Sequence, residues 1–234
     1  MRLRIMCYNI QSGRNNFGRI SVDEAPEVIN RYSPDIVGLC EVRMFTEDLG
    51  GLMQAKYIAE KTGMHYAFAK AIDYLGGEYG VALLSRFPIE SFEKTNVEQI
   101  PENERERRYE DRVLLSARVK TEKSPVRVLV SHYGLSQRER ENAAKLTLSK
   151  LENEKDPAIF MGDLNMTPDN PLYFALSERL TDTAEGSTYL THKADSLVDR
   201  IDYIFASAHF SVENAFAPFT TASDHLPIIS DVIL

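Results

Sequence analysis

The sequence predicts an α/β fold of four layers, two packed mixed β-sheets flanked by helices. Short apolar or alternating segments recur along the whole chain, each of a length that suits a strand rather than a helix. Amphipathic helical stretches fall between some of them but not all. The strand density is therefore too high for a simple series of βαβ units, and two sheets packed face to face account for it better.

Leu3, Ile5 and Cys7 alternate with Arg2, Arg4, Met6 and Tyr8, which reads as an opening strand with one buried face. Ser21 to Arg31 has helical spacing of Val22, Ala25, Val28 and Ile29, with Ser21 as a candidate cap. Asp35 to Cys40 is apolar after its first residue and suits a strand covered on both faces. A helix from about Asp48 to Lys61 and a strand near Met64 to Ala69 follow. Gly80 to Ser85 reads as a buried strand ended by Phe87-Pro88. Val113 to Val119 and Val126 to Ser131 read as a pair around the turn Glu122 to Pro125. Gln137 to Leu151 is the best amphipathic helix. Ala158 to Met161, Ile201 to Phe205 and Ile228 to Leu234 complete the strands. The polar stretch Glu93 to Arg112 reads as an exposed, mobile charged loop. With no repeat, low-complexity tract or linker, residues 1–234 are expected to form a single domain.

The formal net charge of −8 argues against broad, sequence-independent clamping of nucleic acid, which calls for a basic face. A phosphate substrate remains open, because a bound metal can reverse the local field. Two cysteines, Cys7 and Cys40, are too few for a disulfide scaffold or a cysteine zinc site, and both sit in apolar runs as buried thiols would. The N-terminus has no continuous apolar stretch followed by a small-residue cleavage site, and no segment approaches the length of a membrane span. A cytoplasmic protein that does not enter the membrane is expected.

Polar residues fall where strands end. Asn9 closes the first strand, Glu41 follows Cys40, and His132 ends Val126 to Ser131. Asp163 and Asn165 follow Ala158 to Met161, Asp202 lies inside Ile201 to Phe205, and Asp224-His225 precede the last strand. Taken singly, a carboxylate after a strand is more often a turn or cap. Asp202 resists that account, since a charge among apolar strand residues needs a partner. Asp231, with no polar company, is expected at an edge or facing solvent. Rigid scaffolds present chemistry at strand ends, so so many polar residues in this placement point jointly to a site.

The blocks Cys7 to Ile10, Pro34 to Val42, Tyr79 to Arg86, Val130 to Leu135, Gly162-Asp-Leu-Asn165, Arg200 to Phe205 and Ser223 to Pro227 resemble, in order, those of the endonuclease/exonuclease/phosphatase superfamily. Deoxyribonuclease-like and neutral sphingomyelinase-like enzymes belong to it. One departure is Cys40, where that superfamily usually has Gln before the metal-binding Glu. By strand alternation Cys40 points away from Glu41, so little effect on the site is expected.

The resemblance implies a metal-dependent hydrolase of phosphate esters. Glu41 and Asp224, with the Asn9 amide oxygen, make a hard oxygen set that suits Mg2+ or Mn2+. His225 held by Asp202 is implied as an Asp–His pair, Asp163 beside the attacking water, and Asn165 against a phosphate oxygen. His132 is implied to contact the phosphoryl group or protonate the leaving group. Whether His225 or Asp163 takes the water's proton is open. Glu78 and Tyr79 are candidates to reach His132, and Arg86 to meet substrate.

For substrate, a small or medium phosphodiester or phosphomonoester is preferred over DNA or RNA. The one basic cluster (Arg105, Arg107, Arg108, Arg112) is interleaved with Glu102, Glu104, Glu106, Glu110 and Asp111, as in a solvated loop. A nuclease is the alternative within the class, and a non-catalytic binding protein of the same fold the alternative outside it.

Overall fold

In the computed structural model, which describes all residues except 106–108 and 195, the strands form two six-stranded sheets. The first is built from β1 (Arg2–Asn9), β2 (Ile36–Met44), β3 (His65–Tyr74), β4 (Gly77–Ser85), β11 (Ser211–Phe216) and β12 (Ile228–Ile233), in the order β11-β12-β1-β2-β4-β3. The second comprises β5 (Ile89–Asn96), β6 (Val113–Lys120), β7 (Pro125–His132), β8 (Ala158–Asp163), β9 (Thr181–Asp182) and β10 (Asp202–Ala206), in the order β5-β6-β7-β8-β10-β9. Both sheets are mixed: β1 runs parallel to β2 and β7 to β8, with the other pairings antiparallel.

Alternation along the strands sorts side chains into three apolar layers. Leu3, Ile5 and Ile36 of the first sheet meet Val128, Val130, Ile159 and Met161 of the second between the sheets. Helices α1 (Glu24–Tyr32) and α2 (Gln54–Thr62) cover the first sheet through Val28, Ile29 and Ile58 against Val37, Leu39 and Leu84. Helices α3 (Gln137–Leu151) and α4 (Pro171–Ser177) cover the second through Ala143, Ala144 and Leu176 against Leu129, Phe160 and Phe205. The four expected layers are present. Burying each such aliphatic side chain is worth roughly 1.5–3 kcal/mol. At Gly38 a Cβ would come within 2.5 Å of the Met161 sulfur, so glycine lets the sheets approach there.

Several element boundaries differ from expectation. Helix α1 starts at Glu24 rather than Ser21, because Pro26 has no N–H to donate and is tolerated only in a first turn. The helix expected from Asp48 is split: Glu47–Leu49 is a short 3-10 turn, Gly50 and Gly51 have φ of 63° and 76°, and α2 begins only at Gln54. Much of the expected mobile loop is ordered. Glu93 to Asn96 complete β5, and Arg112 is buried beside the second sheet. Glu106, Arg107 and Arg108 of that loop lie outside the described residues. Asp231 is neither at an edge nor solvent-facing. Strand β12 lies between β11 and β1, and the Asp231 carboxylate is buried against Arg4, with bonds of 2.7 and 2.9 Å, and against Arg2. Among the described residues, no helix is long and apolar enough to cross a membrane.

Candidate active site

Topology explains why residues from position 9 to position 225 meet. Strands β1, β2, β7 and β8 deliver their C-terminal ends to one edge of the sandwich: Asn9, Glu41, His132 and Asp163. Strands β10 and β12 run antiparallel to these neighbours, so their starting ends, Asp202 and the preceding Asp224-His225, lie at the same edge. In register, His132 faces Asp163 and Asp163 faces Asp202. A cleft of about 370 Å³ opens there, lined by Glu41, Arg112, His132, Asp163, Asp224 and His225 among others.

Local backbone chemistry aims these groups. Leu39 and Val42, three positions apart, both pack on the helix side of the first sheet. The ladder shifts between them, so Cys40 and Glu41 together occupy one inward position, and Glu41 has φ of 59°. This bulge turns Glu41 out of the ladder and into the cleft. Before Asp163, Gly162 lets β8 close on β7: a Cβ there would collide with the Ser131 carbonyl. Asn165, in the left-handed region at φ 47°, takes a bond from its own N–H to Asp163 Oδ1 at 3.0 Å. Ser223 ties the last block to β1, its hydroxyl donating to Asn9 O at 2.8 Å and accepting from the His225 N–H at 3.2 Å.

The eight strand-end residues Asn9, Glu41, His132, Asp163, Asn165, Asp202, Asp224 and His225 lie together at this edge. Asp202, wholly buried, places Oδ2 2.9 Å from His225 Nδ1. His225 Nε2 then faces Asp163 Oδ2 at 3.7 Å. Asn9 donates from Nδ2 to Glu41 Oε1 (3.1 Å) and Asp163 Oδ2 (3.0 Å), while its Oδ1 accepts from Gln11 N–H. The amide oxygen expected to face a cation thus points to Gln11, and a half-turn about χ2 would exchange the two atoms. Asn165 Nδ2 sits 3.1 Å from His132 Nε2 and donates to Tyr133 O.

Other expectations need correction. Glu78 does not reach His132; it pairs with Lys70 on the β3–β4 hairpin. Arg86 is exposed beyond Ser85, whose register with Ile36 sets it at the opposite end of the sheet from Glu41. Cys40 does point into the inter-sheet core, yet its sulfur accepts the Asp163 N–H at 3.4 Å, so it supports the site after all.

Three residues were missed. Arg112 places Nη1 3.3 Å from His132 Nδ1. Arg43, buried at the end of β2, stacks over Tyr74 at 4.7 Å. His192 lies with its ring centroid 4.6 Å from that of His225. A buried role for Arg112 was signalled only by its place directly before a strand; His192, in an irregular loop, carries no signal at all.

Burial and mutual charge tune the groups. Burial pushes Glu41 up, against the Asn9 bond that lowers it. Burial and then the neighbouring Asp202 charge push Asp163 up to about 7. Burial would lower His225, but the charge and hydrogen bond of Asp202 outweigh it and raise the imidazole to about 10. His132 goes the other way: burial, then Arg112 and His225, hold it well below its ordinary value. It is therefore neutral and can accept from only one of its two donor neighbours, Arg112 Nη1 at Nδ1 or Asn165 Nδ2 at Nε2, while Nε2 also lies 3.5 Å from Asp163 Oδ2. Buried carboxylates crowded to this degree are a donor set short of positive charge, which a hard divalent cation fits.

A four-layer sandwich with histidines and carboxylates gathered at one edge is the architecture of a hydrolase class. The chain belongs to the Endonuclease/Exonuclease/phosphatase family, whose pattern it matches over residues 6–225. It is 27% identical to the uncharacterized protein YbhP of Escherichia coli strain K12, over 99% of this chain and 96% of that protein. A solved endonuclease/exonuclease/phosphatase from Beutenbergia cavernae superposes with a TM-score of 0.83 at 21% identity, covering 100% of this chain and 72% of that one. A mannosyl-6-phosphatase of Bacteroides thetaiotaomicron superposes with a TM-score of 0.79 at 20% identity, covering 99% and 100%.

Proposed function

We propose that the chain is a divalent-cation-dependent phosphate ester hydrolase acting on a small or medium phosphodiester or phosphomonoester. The observation that carries this reading is the Asp202–His225 pair aimed at the Asp163, Asn9 and Glu41 cluster. Glu41, Asp224 and, after the half-turn of its amide, Asn9 would hold Mg2+ or Mn2+. Bound there, the ion neutralises charge on the phosphoryl oxygens and the departing oxygen.

The remaining work falls to the chain. In its neutral form, which the charge of a bound cation would favour over the cation-free value of about 10, His225 takes the proton of the attacking water at Nε2, and Asp202 fixes the tautomer and stabilises the imidazolium that results. Asp163 orients that water from its place beside Nε2. His132 and the Asn165 amide contact the phosphoryl oxygens. The cleft is compact, and the overall charge is negative, so an extended nucleic acid is disfavoured. The likeness to a mannosyl-6-phosphatase is consistent with a small monoester.

A substrate panel tests the reading: bis-p-nitrophenyl phosphate, p-nitrophenyl phosphate, plasmid DNA, sphingomyelin and an acyl ester, each with Mg2+, Mn2+ or EDTA. Cation-dependent turnover of one of the small phosphates is expected. Turnover of the acyl ester alone would overturn the phosphate assignment, and silence on every substrate would favour a binding protein.

A further inference from the structure

His192 takes no part in the hydrolysis just described. Yet ligand-capable atoms of His192, Asp224 and His225 all lie within 4.8 Å of one another. The loop bearing His192 is fastened to the segment bearing the other two. Ala194 N donates to Asp224 O and Leu226 N to Thr191 O, each at 2.7 Å, and His192 pairs in isolated bridges with both Asp199 and His225. The two imidazole rings are tilted by 41° with their centroids 4.6 Å apart.

The orientation of His225 adds a second, independent observation. Asp202 takes Nδ1, so in the neutral ring, the form that binds a metal, the lone pair is on Nε2. A carboxylate behind a histidine in this manner fixes the tautomer and raises the basicity of a metal ligand. Asp202 Oδ1 is buried with no hydrogen-bond partner among the described residues.

Two imidazoles and one carboxylate form a borderline-soft donor set. Imidazole suits zinc, copper and nickel, whereas magnesium and calcium take oxygen. We propose that His192, Asp224 and His225 form a second, nitrogen-bearing cation site that takes a transition ion of the zinc type. It is distinct in chemistry from the oxygen set of Glu41 and Asn9 but shares Asp224 with it, so the two ions compete. Its existence rests on the geometry of these three residues alone. Its consequence rests on the hydrolase reading: an ion held by Nε2 removes the lone pair that accepts the water's proton, and transition ions of this kind inhibit hydrolysis.

Cobalt(II) titration of the metal-free protein reads the site without any substrate. The wild type is expected to develop visible absorption of a nitrogen-coordinated ion that zinc bleaches and magnesium displaces only weakly. His192→Gln, and His192→Ala as a second variant, should melt like the wild type without metal and bind cobalt at least about tenfold more weakly. Equal cobalt affinity and spectra in wild type and variants, or displacement by magnesium as readily as by zinc, would overturn the proposal. In the hydrolysis assay with Mg2+, His192→Gln should keep the zinc-free rate and need at least about tenfold more zinc for half-inhibition. If no phosphate ester is turned over, the hydrolase reading falls while the cobalt titration still decides the site.

Discussion

The Nδ1 of His225 lies 2.9 Å from Oδ2 of Asp202, a carboxylate that is wholly buried and is paired in register with Asp163 on the neighbouring strand of the second sheet. One short contact sets both the tautomer and the charge of the imidazole. Asp202→Asn removes the charge but not the shape. It should lower kcat by a factor on the order of a hundred to ten thousand with little change in melting temperature. The His225 ring, followed by NMR in the cation-free protein, should titrate well below the value of about 10 that Asp202 maintains. An unchanged titration would show that Asp202 does not govern the ring.

Without a divalent cation, the protein should become less stable as pH rises. Both Asp163, raised to about 7, and His225, raised to about 10, bind a proton more tightly folded than unfolded. A raised folded value contributes stability below the unfolded one, near 3.8 and 6.5 for these groups, and loses it as pH passes the folded one. Melting temperature in EDTA should therefore fall between about pH 7 and pH 10, where His132, whose lowered value acts in the opposite sense only below its ordinary 6.5, no longer titrates. Adding Mg2+ should release protons, measurable by calorimetry in buffers of different ionisation enthalpy.

Glu41 should show the opposite balance of stability and function. Its burial holds the carboxyl above the usual range, so an ionised Glu41 destabilises the cation-free fold. Glu41→Gln is expected to raise the stability of the EDTA-treated protein by about 0.5–2 kcal/mol and to abolish the stabilisation that Mg2+ gives the wild type. Urea denaturation with and without Mg2+ checks both.

Asp231 provides a contrast away from the site. Its bonds to Arg4 hold the carboxyl below its ordinary value. Such a group contributes stability above its unfolded pKa, about 3.9, and the contribution fades as pH falls through the lower folded value. Asp231→Asn should cost about 1.5–3 kcal/mol at pH 7, measured by urea denaturation, and much less in acid.

What could be read in the sequence follows from where physical pressure is strongest. Strands β2, β7 and β8 are buried on both faces, and their apolar runs were plain. Helix α3 was legible from its amphipathic spacing, and the structure shows that a capping box, Ser136 with Glu139, fixes where it begins. Strands β5 and β11 were missed because they lie at sheet edges with mostly exposed side chains and no apolar face to mark them. The site carboxylates and histidines stood out as polar residues ending apolar runs. What turns Glu41 into the cleft did not, since a bulge depends on the neighbouring strand and not on Glu41 itself. Arg112 was hidden among acidic neighbours, one of which, Glu110, stays paired with it while its guanidinium also reaches His132, and His192 becomes a neighbour of His225 only once its loop is pinned.

The most direct test of the central claim compares wild type and His225→Ala on bis-p-nitrophenyl phosphate, each with Mg2+ and with EDTA. Turnover is expected in the wild type with Mg2+ alone, and a loss on the order of a hundredfold or more from either the substitution or the chelator. A His225→Ala protein that hydrolyses the diester at the wild-type rate, or a wild type indifferent to EDTA, would contradict it.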